Sequence, residues 1–120
     1  MRRIFLAGVI AATPALAQQP YSQSMAECAG LFAFALDHVN RPDRVSRLEA
    51  AVDTWMTAAE NQADAEGREN PETYVADAMQ AKYADWSGRG QLAVLSQEFR
   101  DWADYCRSFG RAQGIETDLD

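Results

Sequence analysis

Apolar residues recur at steps of three and four along most of the chain, and this spacing predicts amphipathic helices. No stretch shows the strict alternation that would predict a β-strand. Four apolar stripes can be separated. In chain order they consist of Met25, Cys28, Phe32, Ala35 and Val39; of Val45, Leu48, Val52, Trp55 and Ala59; of Tyr74, Val75, Ala78, Met79, Tyr83 and Trp86; and of Leu92, Leu95, Phe99, Trp102, Cys106 and Phe109.

Helix-breaking and helix-capping residues lie between these stripes. Pro42 separates the first helix from the second, and Gly67 is placed to end the second. Asn70 and Pro71 suit the cap and the first position of the third helix. A glycine-containing turn, SGRG, precedes the fourth helix, and Gly110 is predicted to end it.

This order of elements predicts an all-α fold, a small bundle of about four amphipathic helices in up-down-up-down order. Residues 18–110 are predicted to form its single domain. Residues 111–120 are polar and acidic, and we expect them to be a flexible tail.

The two cysteines lie on the apolar stripes of the first and last helices. Cys28 is near the start of its helix and Cys106 is near the end of its own, so antiparallel neighbouring helices would bring them together. A metal site would need more ligands at closer spacing, and a redox pair is more often C-x-x-C. The sequence therefore predicts a structural Cys28–Cys106 disulfide.

The first residues have the organisation of a secretory signal peptide. Arg2 and Arg3 precede the short apolar run 4–12, and small residues lead up to Ala17. We expect cleavage of residues 1–17 after Ala17 and a periplasmic or secreted protein, in a compartment where disulfides form. The apolar run is far shorter than the ~20 residues that a membrane span requires, so no span is expected.

The chain is acidic, with 11 basic and 18 acidic residues and a formal charge of −7. Loss of Arg2 and Arg3 with the signal peptide would take the charge from −7 to −9. Such a charge repels phosphate backbones and anionic lipid, which argues against nucleic-acid binding. It favours solubility or a basic protein partner.

The sequence contains no catalytic or metal-binding constellation. His38 is the single histidine, and its neighbour Asp37 does not share its helix face. No phosphate loop, haem attachment motif or calcium loop is present. We therefore expect no enzyme activity, no catalytic residue, no metal and no cofactor. The alternatives are a small hydrolase that uses a carboxylate pair, or a ligand carrier in the bundle core.

Candidate interface residues form an apolar group and a basic group. The apolar group is Leu31, Phe34, Met56 and Tyr105, and the basic group is the ridge of Arg41, Arg44 and Arg47 at the start of the second helix. The acidic residues between positions 60 and 72 are a further charged surface. Together these features favour non-catalytic protein–protein contact, as in an accessory subunit, an inhibitor or immunity-type protein, or a chaperone-like binder. They specify neither the partner nor the oligomeric state.

Overall fold

The computed structural model describes residues 19–119, and the predicted signal peptide lies outside this range. The described chain consists of α1 (Tyr21–Leu36), α2 (Pro42–Ala65), α3 (Pro71–Gly88), a short 3₁₀ helix η1 (Gln91–Leu95), and α4 (Gln97–Gln113). No strand occurs within it. The prediction of a small all-α bundle is confirmed.

The helix boundaries follow the local chemistry, with one difference from the prediction. Pro42 and Pro71 occupy the starts of α2 and α3, as predicted. The last helix begins later than its stripe suggests, because the Ser96 hydroxyl accepts a hydrogen bond from the Phe99 N–H at 3.1 Å and caps α4 there. It also passes through Gly110 and ends at Gly114, which has a left-handed φ of 73°.

The late start of α4 changes the environment of two leucines. Leu92 and Leu95 lie in η1 and are 72% and 68% exposed. They were predicted to belong to the buried stripe of the last helix. A 3₁₀ turn has three residues per turn, so it does not continue the face that an α-helix would present.

Helix α1 is at the centre of the bundle and contacts α2, α3 and α4. It is therefore buried on most of its circumference. Leu31 and Phe34 are each 1% exposed, so the prediction that they form an interaction surface is wrong. The wide apolar arc of this helix reflects a central position, since a helix that is covered on several sides needs apolar residues on all of them.

Helix α1 approaches α3 closely at Gly30. A methyl group added to Gly30 would come within 2.7 Å of the Met79 carbonyl oxygen and 3.0 Å of the Lys82 Cβ. Ala26 and Ala29, on the same helix, are fully buried and leave room for this approach. The small residues of α1 thus set its distance from α3.

We expect Gly30→Ala to lower the free energy of unfolding by about 1–3 kcal/mol, because the methyl group meets backbone atoms that cannot rotate away. Alanine's better helix propensity, about 1 kcal/mol, offsets only part of this loss. Gly88→Ala is the matched control, since that glycine is also helical but has nothing within 4 Å of the added methyl group. Urea denaturation measures both, and equal stability of the two variants would contradict the close approach.

Cys28 and Cys106 are paired as a disulfide, with their Cα atoms 5.7 Å apart. Each cysteine is 1% exposed, and the bond joins α1 to α4 across a sequence separation of 78 residues. The predicted pairing is confirmed. It connects the two helices whose mutual contact is less extensive than those of α1 with α2 and α3.

Removal of this cross-link should lower stability while leaving the helices formed. In the chain-entropy model a loop of this length contributes up to ~4–5 kcal/mol, so Cys28→Ala/Cys106→Ala should melt well below the wild type. Far-ultraviolet circular dichroism should still show helix below the transition, since most helix packing does not involve the sulfurs. An unchanged melting temperature would show that the bond does not form in solution.

Aromatic side chains fill the core next to α1. Phe34, Trp86 and Phe99 form a cluster with ring centroids 5.5–6.0 Å apart. Trp102 differs from the prediction, because it is only half-buried and the Lys82 ammonium lies 5.0 Å from its ring centroid. Its place on the α4 stripe does not make it part of the central core.

Candidate functional site

A groove of about 570 Å³ is open to solvent beside the end of α1. It is bounded by the end of α1 and the residues after it, by the first two turns of α2, by η1, by one face of α4 and by the end of the described chain. The lining residues are Phe32, Ala35, His38, Val39, Arg44, Arg47, Leu48, Val94, Leu95, Phe99, Ala103, Arg107, Asp118 and Leu119.

The floor of this groove is apolar and belongs to the core of the bundle. Phe32, Leu48 and Phe99 each line the groove and are less than a tenth exposed. Leu95 stands at the rim and is largely exposed. An apolar group that enters the groove would contact side chains whose positions are already fixed by packing, so little ordering would be required.

Three arginines line the groove. Arg44 and Arg47 are one turn apart on α2, and Arg107 comes from α4. Arg47 pairs with Asp43 at 3.2 Å and Arg107 pairs with Asp104, within their own helices. Within residues 19–119, Arg44 makes no hydrogen bond or ion pair.

The predicted arginine ridge is therefore divided by the structure. Arg44 and Arg47 line the groove, whereas Arg41 does not. Arg41 precedes α2, its side chain is 68% exposed, and it lies 3.5 Å from Asp43. The three arginines are equally spaced in the sequence, but Arg44 and Arg47 face the groove region and Arg41 is a solvent-exposed residue outside it.

The other candidate residues lie outside the groove or at its edge. His38 lines it, and its ring packs edge-on against Phe34 with centroids 4.7 Å apart. Tyr105 is 44% exposed and stacks on Phe109, and Met56 is half-buried against the core. Neither Tyr105 nor Met56 lines the groove.

Several groove residues were not predicted. Arg107 lies on the polar side of the α4 sequence pattern, and Val94 lies in the connection before that helix. Asp118 and Leu119 belong to the stretch that was predicted to be a loose tail, yet Leu119 packs against the core. The only signal in the sequence was the pair of apolar residues, Ile115 and Leu119, within that polar stretch.

The acidic residues between positions 60 and 72 do not act as one group. Glu60, Asp64 and Glu72 line a separate open cleft of about 410 Å³ at the junction of α2 and α3. The Glu66 carboxylate is instead hydrogen-bonded to the start of α1, where it accepts from the Ser22 N–H at 3.2 Å and from the Ser22 hydroxyl at 2.6 Å. In the part of the chain that the structure describes, no three histidine, cysteine or acidic side chains are placed to hold a metal ion.

These contacts alter the pKa of Glu66. Burial raises the pKa, but hydrogen bonds from Ser22, Gln62 and Arg68 together outweigh this effect and hold it below the usual value of 4.5. Ser22 lies within the first turn of α1 and is held by Glu66, which directly follows α2. Glu66 is thus a structural contact between two helix ends.

We expect Glu66→Gln to lower stability at pH 7 by about 0.5–1 kcal/mol, a modest loss because the carboxylate is partly in contact with water. A lowered pKa means that the carboxylate stabilises the fold above pH 4.5 and that this contribution is lost as the pH falls through the folded-state pKa. The difference between wild type and variant should therefore disappear in acid.

Glu69→Gln is the control for this experiment, because Glu69 lies in the same connection and makes no hydrogen bond or ion pair with any described residue. Denaturant titrations from pH 3 to pH 7 provide the measurement. A stability difference for Glu66→Gln that is independent of pH would contradict the assigned role of the charge.

Comparisons with protein-family models, curated proteins and solved structures give no match for this chain. The helices of residues 19–119 include none with the length and apolar character needed to cross a membrane.

Proposed function

We propose that this protein acts without catalysis, by holding an acidic, leucine-bearing segment of a partner protein in the groove. The observation that carries the proposal is the position of three arginines around an apolar floor. The chain as a whole has a formal charge of −7, so a site lined by arginine contrasts with its surroundings. This local charge favours an anionic partner, whereas the overall charge of the chain pointed to a basic one.

The arginines suit carboxylates in particular. A guanidinium group offers a planar set of donors that can hold both oxygens of a carboxylate. Arg44 has its donors unused by any described residue, so a ligand would not first have to break an internal ion pair. Arg107 comes from α4, whereas Arg44 comes from α2. Carboxylates of a ligand could therefore pair with either helix at the groove.

The apolar floor would bind an apolar side chain in the middle of the partner segment. Leu48 and Phe99 are core residues whose surfaces reach the groove, and Leu95 extends the apolar surface at its rim. A branched aliphatic side chain between two acidic residues would cover this surface while its neighbours meet the arginines. Among residues 19–119, Asp118 is the only carboxylate that lines the groove, so a carboxylate pair for hydrolysis has no support there.

The predicted signal peptide and the disulfide support an exported site of action, in the periplasm or outside the cell. A small, cross-linked helical domain with an open groove fits an accessory subunit, an inhibitor or immunity-type protein, or a chaperone-like binder. In each case the partner would present an exposed acidic segment.

The charge requirement can be tested with two fluorescein-labelled octapeptides, one of alternating leucine and aspartate and one of alternating leucine and asparagine. We expect the aspartate peptide to bind at least about tenfold more tightly in fluorescence anisotropy, since each charge-assisted pair contributes 1 kcal/mol or more. Its affinity should fall as salt is raised. If both peptides bind equally and a long-chain fatty acid displaces them, the proposed partner protein is wrong and the ligand is a small amphipathic molecule.

The position of the site can be tested on the arginine ridge itself. Arg44→Gln should weaken binding of the aspartate octapeptide about tenfold, because it removes a groove cation. Arg41→Gln removes the same charge from the same helix end but outside the groove, so it should have little effect. Equal losses in the two variants would show that general electrostatic attraction, and not the groove, holds the peptide.

A further inference from the structure

The chain that follows α4 turns back and enters the groove. Gly114 has the left-handed conformation that reverses the chain, and the Ile115 N–H donates to the Gly110 carbonyl at 2.8 Å. Ile115 and Leu119 both pack against the core, and Leu119 does so within the groove. We call residues 114–119 the return segment.

The return segment has the chemistry that the groove is proposed to bind. Its sequence, GIETDL, places Glu116 and Asp118 close to a leucine. Asp118 lines the same groove as Arg44, Arg47 and Arg107. The segment therefore matches an acidic, leucine-bearing ligand in both composition and position.

The return segment is held loosely for a part of the fold. Beyond the Ile115 N–H, residues 116–119 make no hydrogen bond to any other described residue. Asp118 is exposed and forms no ion pair with the groove arginines, although it lies beside them. Leu119 is half-buried, so a single apolar side chain anchors the end of the segment and its displacement would break few contacts.

We propose that the return segment is an intramolecular competitor for the partner, so that binding in the groove requires its displacement. This inference rests on the proposed function, since it concerns regulation of the same site. A ligand that binds only the open state has its apparent dissociation constant raised by the inverse of the open fraction. If the segment occupies the groove about nine-tenths of the time, partner binding is weakened about tenfold.

The experiment measures binding of the labelled leucine–aspartate octapeptide to the full chain and to Leu119→Ser. The substitution removes the apolar anchor without adding charge, and we expect it to tighten binding about tenfold. Leu92→Ser is the matched control, because Leu92 is an exposed leucine that does not line the groove. Hydrogen exchange should also show faster exchange of the Ile115 amide, which is hydrogen-bonded to the Gly110 carbonyl, in Leu119→Ser than in the wild type.

The outcomes separate this inference from the proposed function. If wild type, Leu92→Ser and Leu119→Ser bind equally while Arg44→Gln binds weakly, the groove binds acidic peptide and the competitor role is overturned. If no variant binds the peptide, both proposals fail. Should Leu119→Ser not fold, Leu119→Ala shortens the anchor without adding a polar group, and unchanged peptide binding by that variant would overturn the competitor role.

Discussion

The enclosure of α1 by the other three helices is the constraint on which the rest of the structure depends. A helix covered on several sides has to be apolar almost all round and narrow where a neighbour comes close. Leu31 and Phe34 satisfy the first condition and Gly30 satisfies the second, with the backbone of α3 directly against it. The disulfide then fixes α4 to the same central helix, and Glu66 fixes the end of α2 to its start. Every other helix is thus positioned relative to α1.

The groove exists because the helices around α1 are not matched in length and position. α1 ends at Leu36 and α2 begins at Pro42. The cap at Ser96 delays the start of α4, so that η1 lies between α3 and α4. Core side chains such as Phe32, Leu48 and Phe99 therefore line an open groove at this end of the bundle. The same mismatch places arginines from α2 and from α4 around these core side chains. An apolar floor and a charged rim therefore arise together at this end of the bundle.

The charged side chains that line the groove are mainly arginines, whereas the molecule as a whole has a net negative charge. A net negative charge keeps anionic molecules away in general, and only a ligand that reaches the arginines closely gains from them, because screening limits attraction to about 8 Å at physiological salt. Arg44, which has no hydrogen bond or ion pair with any residue of 19–119, would contribute most directly to such short-range recognition. The acidic return segment lies where this local charge is felt. The groove would therefore recognise an acidic segment through short-range contacts and not through long-range attraction.

The sequence by itself determined the helices, their proline starts and the cysteine pair, because periodicity and capping are local and because a stripe position places a cysteine on an inner face. It predicted an interaction surface at Leu31 and Phe34 and a buried place for Leu92 and Leu95, and both were wrong. It also grouped Arg41 with Arg44 and Arg47. Spacing states which residues share a helix face, but the neighbour that covers that face depends on how closely helices approach and where each one starts. The contact at Gly30 joins parts of the chain that no local pattern relates. The cap at Ser96 and the reversal at Gly114 are local, but their consequence for the groove depends on where the other helices lie.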